Sequence, residues 1–282
     1  MAISAPMTHR RRNALAALAA AVLTGPVRAQ QRQSLVDPLR LGVDQALIDS
    51  GLAKALQVGF GHDTGIAVRL VPGPSGPLLA ALERGELDAA LTNSPEAETA
   101  LDKQGLVHDR QLIATSEFVI VGPAPKGKVR DPAGVAGSHD AVEALVKIRD
   151  AAAAAAPGTL VFVSAGDGSG THAAELALWR AAKIAPAAPW YVAADPKKGS
   201  HLAQIKHFGL YAYAIVERGA WAAQGFAPLA VLVDGDARQR TEVHVMRSFR
   251  VNHPAGKIFV AWIAGPKGRA IVAAQRAYRA SA

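Results

Sequence analysis

Short apolar runs alternate with stretches of helical spacing along most of this chain, and that alternation restricts its fold more than any other feature. Leu39 to Val43 and Ile66 to Val71 read as strands, with apolar residues at helical spacing from Ile48 to Val58 between them. Gly73-Pro74-Ser75-Gly76 is a turn, Pro77 to Arg84 a helix with proline in its first turn, Asp88 to Thr92 a strand, and Pro95 opens a further helix. Strand and helix in strict succession predict an α/β fold on a mostly parallel sheet. Ligands of such sheets sit beyond the carboxyl ends of the strands, where Asp44, Ser75, Asn93 and Ser164 fall.

The pattern pauses at Glu117 to Pro123, an apolar strand followed by the Pro/Gly/Lys-rich loop Ala124 to Gly134. It then resumes with a helix over Ser138 to Ala156, where the polyalanine run closes before Pro157-Gly158, and a strand over Leu160 to Val163. A helix through Ala182 follows, then Trp190 to Ala193 and strands near Tyr211 to Val216 and Leu229 to Val233. Val243 to Phe249 crosses back, and helices over Pro254 to Ile263 and Lys267 to Tyr278 complete the first half. The expected division is an export signal over residues 1–29, one lobe over 38–121 plus 245–282, and a second lobe over 122–244. Two crossings make a hinge able to close over a ligand.

The stretch Ser164-Ala165-Gly166-Asp167-Gly168-Ser169-Gly170-Thr171-His172 joins an apolar strand to a helix. Its three glycines let successive amides converge, and Ser169 or Thr171 caps the helix behind them. Uncompensated donors without an acid–base pair suit holding a small anion or polar molecule. Thr171 stands where a dinucleotide fingerprint needs its last glycine, no lysine follows as in a P-loop, and Asp167 precedes Gly168-Ser169 where a nucleophile elbow needs glycine. The competing reading is an ordinary tight turn in which Asp167 and Ser169 serve the backbone.

The chain has 282 residues and is half hydrophobic, enough for two lobes with their own cores. Its formal charge of +8 suggests nucleic acid, but Arg10, Arg11, Arg12 and Arg28 supply four of those charges within the first 29 residues. With aromatics at 5% and no basic run interleaved with them, no nucleic-acid surface is expected. Arg10-Arg11-Arg12, the apolar stretch Ala14 to Val22 and Val27-Arg28-Ala29 read as a cleavable export signal, Sec or twin-arginine, too short to span a bilayer. Without cysteine there is neither a disulfide framework nor a lipid-attachment site, so the mature protein is expected free in the periplasm.

With these segments in place the chain resembles the periplasmic tungstate-binding proteins of ABC importers, which are type II solute-binding proteins. The resemblance rests on Asp49-Ser50-Gly51-Leu52, Ser94-Pro95-Glu96-Ala97-Glu98, Phe118 to Pro123, Asp140 to Ala144, Gly170-Thr171-His172 with Glu175 to Trp179, and Trp190-Tyr191, in order and spacing. It implies two α/β lobes, each a mostly parallel sheet flanked by helices, and capture of a tungstate- or molybdate-like oxyanion or a related small polar ligand between them. It also implies a permease partner in the inner membrane, a monomer, no catalysis and no cofactor.

Departures from the family pattern fall at the ligand. The hydroxyl run after the first strand is replaced by Val43-Asp44-Gln45-Ala46, an arginine after Ser164 by Ala165, and a glycine-rich segment after Trp190-Tyr191 by Asp195 to Ser200. Loss of the arginine alone weakens oxyanion binding by about one to two orders of magnitude. A carboxylate at Asp44 repels a dianion by roughly 4 kcal/mol per unit charge at 4 Å, unless Lys197 or Lys198 reaches the cleft. A ligand that has drifted toward a zwitterion or an amine is therefore an open alternative, as is a simple helix cap for Asp44.

The expected ligand contacts are Asp44, Gln45, Ser75, Gly76, Ser164, Ala165, Asp167, Ser169, Gly170, Thr171 and Lys198. His172 is expected to satisfy backbone at the helix start, and His201 and His207 lack metal-ligand spacing, so no metal is expected. Rival functions are a periplasmic sensory or accessory binding protein and an enzyme on the same scaffold, for which Asp167 with His172 is the one tempting pair.

Overall fold

The computed structural model describes Met1 and residues 34–126 and 129–281. The export signal expected over residues 1–29 therefore lies, apart from Met1, outside the described residues.

Three parallel strands begin the fold. β1 (Leu39–Asp44) lies between β2 (Val68–Gly73) and β3 (Ala89–Thr92). Between β1 and β2 the chain forms α1 (Gln45–Asp49) and α2 (Leu52–Thr64), and α3 (Ser75–Glu83) links β2 to β3. The helix expected from Ile48 begins earlier and breaks, because Gly51 sits at φ +82°, a left-handed conformation that ends α1 and opens α2 at a new angle. After α4 (Pro95–Lys103) comes β4 (Val107–Pro123), 17 residues long. The sequence pattern showed only its last seven residues, because the outer part is a half-exposed stretch with register shifts beside His108 and Leu112 and Asp109 at φ +52°.

Beyond β4 lie α5 (Ala141–Ala154), β5 (Val161–Ser164), α6 (Gly170–Ala181), β6 (Tyr191–Ala193), α7 (His201–Phe208), β7 (Ala212–Glu217), α8 (Arg218–Gln224) and β8 (Leu229–Val233). Asp140 caps α5 by accepting from the amides of Val142 and Glu143, and the helix ends within the alanine run as the sequence predicts. Then β9 (Arg240–Ser248), α9 (Pro254–Ile263), α10 (Pro266–Ala273) and β10 (Arg279–Ala280) close the chain. The last helix is shorter than expected, since its end turns to pair with β4 at Thr115 and Ala114.

The strands form one path in the order β2-β1-β3-β9-β4-β7-β5-β6, with β8 and β10 also on β4. The parallel pairings that the alternation predicts are those of β1 with β2 and β3 and of β5 with β6 and β7. Every antiparallel pairing involves β4 or β9, the two strands that join the halves. β4 pairs β9 as far as Glu117 and β7 from Phe118 onward.

Buried side chains divide the same way. One cluster packs α2 and α9 on β1 around Phe60, Leu56 and Phe259, and a smaller one packs α3 on the other face around Leu79 and Leu82. On the far side of the β4 switch, Phe162, Trp179 and Tyr213 centre a third cluster and Val163, Ile205 and Trp221 a fourth. Burial of each large side chain contributes about 1.5–3 kcal/mol, so each half has a core of its own.

Candidate functional site

The carboxyl ends of β1, β5 and β7 face one cavity of about 440 Å³. One wall is Asp44, Gln45 and Ala46 after β1 with Gly73 and Pro74 after β2. The opposite wall is Ala165, Asp167, Ser169 and Thr171 of the glycine turn, with Ser200, His201 and Gln204 from α7 and Glu217 from β7. A larger cavity of about 820 Å³ lies along β4 and β9, around Arg218, Arg240 and Arg279, and contains none of the expected contacts.

The turn has the conformation its glycines allow. Gly166 and Gly168 take φ +63° and +78°, and Asp167 Oδ1 accepts from the Ser169 amide at 2.9 Å. Ser169 caps α6, its Oγ accepting from the His172 amide at 3.2 Å. His172 Nδ1 accepts from the Gly168 amide at 3.1 Å, so the histidine serves the backbone as expected, and burial lowers its pKa. Asp167 and His172 thus each hold an amide of the turn, an arrangement without an activated nucleophile.

Asp44 joins the walls. It is fully buried and caps α1, with Oδ1 accepting from the Ala46 amide at 3.0 Å. Its Oδ2 accepts from the Ser75 amide at 3.0 Å, the Ser75 hydroxyl at 2.5 Å and the Gly170 amide at 3.4 Å. Burial raises its pKa despite these bonds, and the nearby Asp167 charge acts in the same direction. The Gly76 amide donates to the Gly168 carbonyl at 3.0 Å, a second backbone tie between the two sides. Gly170 is required here for closeness, because a Cβ on it would lie 2.1 Å from Asn93 Oδ1 and 2.5 Å from the Asn93 carbonyl.

Of the expected contacts, Asp44, Gln45, Ala165, Asp167, Ser169 and Thr171 stand on the cavity wall. Ser75, Gly76 and Gly170 stand behind it, their donors held by Asp44 and Gly168. Ser164 is off the wall because its hydroxyl donates to Glu175 Oε2 at 2.9 Å and accepts from the Tyr191 hydroxyl at 2.9 Å. Glu175 Oε1 also lies 2.5 Å from the Tyr191 hydroxyl and Oε2 accepts from the Ala165 amide at 3.3 Å, and burial pushes its carboxyl up to about 7. Lys198 is exposed and off the wall.

Sequence reasoning missed His201, Gln204 and Glu217. His201 Nε2 lies 3.0 Å from the Val163 carbonyl, and burial lowers its pKa, which favours the neutral ring. Glu217 accepts from the Ser116 and Tyr278 hydroxyls and caps α8 through the Ala220 amide. Its place at the carboxyl end of a strand was the available signal. The ionisable lining is Asp44, Asp49, Asp167, Glu217 and His201, with no lysine or arginine among the described residues. The lining is largely apolar, with its ionisable groups mostly acidic.

A PBP superfamily domain matches residues 29–235. Tungstate-binding protein TupA of Peptoclostridium acidaminophilum is 28% identical over 267 residues, covering 92% of this chain and 88% of that protein. Among solved structures, the tungstate ABC transporter from Geobacter sulfurreducens is 27% identical with a TM-score of 0.69, covering 84% of this chain and 98% of its own. The tungstate-binding protein TupA from Desulfovibrio alaskensis G20 is 29% identical with a TM-score of 0.64, covering 87% of this chain and all of its own, 100%.

Proposed function

The chain belongs to the PBP superfamily, and on that premise we propose that it is the extracytoplasmic solute-binding component of an ABC importer, capturing a small oxyanion or related polar solute. The fold is the α/β architecture of type II solute-binding proteins that the resemblance implied. The observation that carries the proposal is the cavity itself, lined from both sides of the β4 switch by strand ends and by Ser169 and Thr171 at the start of α6. We assign residues 38–117 plus 240–281 to one lobe and 118–239 to the other, a few residues from the boundaries expected at 121/122 and 244/245, with the hinge where β4 leaves β9 for β7 and in the segment leading into β9.

On this reading the protein is exported, works as a monomer in the periplasm, delivers its solute to an inner-membrane permease and converts nothing. The acidic lining supports a second ligand, a small solute that also bears an ammonium group. Calorimetric titration with tungstate, molybdate, sulfate and small amino acids, together with thermal unfolding in each, tests the function. A solute that binds and raises the unfolding temperature without being altered is the expected result, and turnover of the bound solute would refute it.

A further inference from the structure

Resting on that reading, we infer that Asp44 is a built-in anion: its carboxylate fills the donor cradle between the starts of α3 and α6, and so determines which solutes the cavity accepts. Capping α1 uses only Oδ1. Oδ2 takes the Ser75 amide and hydroxyl, 31 residues away, and the Gly170 amide, 126 residues away, so the carboxylate sits where donors from both walls meet. These are the donors a bound oxyanion would use, and here a side chain of the same chain already holds them.

A second observation lies at the edge of the cradle. Asn93 is 1% exposed and its Nδ2 has no hydrogen-bond partner. The same amide group reaches the cradle, with Oδ1 3.4 Å from the Ser75 hydroxyl and in the path of any side chain at Gly170. As placed, the amide turns its oxygen to the cradle and leaves its NH₂ unserved; a half-turn of the amide would aim that donor at a tetrahedral oxyanion, which brings four oxygens where the carboxylate brings two. Asp44 therefore blocks a free dianion by holding the donors and the space that the dianion's oxygens would take, and Asp167 on the same wall adds a further carboxylate there.

The test is calorimetric titration of wild type, Asp44→Ser and Asp44→Asn with sodium tungstate at neutral pH. Asp44→Ser removes both charge and bulk and is expected to bind tungstate tighter than wild type by roughly tenfold or more. Asp44→Asn keeps the bulk and the α1 cap through Oδ1 while turning an NH₂ toward the Ser75 and Gly170 donors, so it removes the charge and releases those donors even if the serine variant does not fold, and is expected to show a smaller gain. Tungstate binding by folded variants no tighter than by wild type would overturn the inference. Thermal unfolding of wild type with the same solute panel separates the two claims. A solute that stabilises wild type while neither variant gains tungstate affinity would overturn the role of Asp44 and leave the carrier function standing.

Discussion

Replacing Glu175 by glutamine removes one ionisable proton from the core behind the glycine turn while preserving its shape. Glu175 is fully buried, and burial raises its pKa from the ordinary 4.5 to about 7. Between those values the folded protein holds a proton that the unfolded chain has released, so stability falls as pH rises through this window. The stabilisation is complete below 4.5 and lost above about 7, a difference of roughly 3 kcal/mol. Glutamine keeps an acceptor for Ser164 and the Ala165 amide and turns its NH₂ toward the Tyr191 hydroxyl, which passes its own proton to Ser164 at 2.9 Å. Other groups shifted by burial, including Asp44 and Glu217, titrate alike in both proteins and cancel in the difference. Thermal unfolding of wild type and Glu175→Gln from pH 4 to 8 is therefore expected to coincide at the acid end and to diverge through the window. The variant ends higher by roughly 6–12 °C, at 2–4 °C per kcal/mol for a chain of this size. A constant offset at every pH, or a wild type as stable at pH 8 as at pH 4 relative to the variant, would refute the assignment.

Other substitutions separate structural from binding roles. Gly170→Ala places a Cβ 2.5 Å from the Asn93 carbonyl, so it should destabilise by about 1–3 kcal/mol in urea unfolding and weaken solute-induced stabilisation. Ser169→Ala removes the cap of α6 and should lower stability by about 1 kcal/mol in the same assay. Lys198→Ala, exposed and off the cavity wall, should leave calorimetric affinity for any bound solute unchanged, and a clear loss would bring that side chain into the site.

Features that depend on neighbours a few residues apart could be read from the chain alone. Apolar periodicity placed most of the strands and helices, proline and glycine marked their ends, and short polar side chains announced caps such as Asp140 and Ser169. Asp44 was legible as a cap, which its Oδ1 makes on the Ala46 amide. Long-range packing sets where the second oxygen of Asp44 goes, because its donors come from residues 31 and 126 positions away. It likewise drew Ser164 off the wall toward Glu175 and Tyr191, brought His201, Gln204 and Glu217 onto it, and extended β4 through a stretch with no apolar alternation. Local hydrogen bonds close within one turn of chain and leave a sequence pattern. A contact between distant segments is set by how sheets and helices pack, and no spacing along the chain records it.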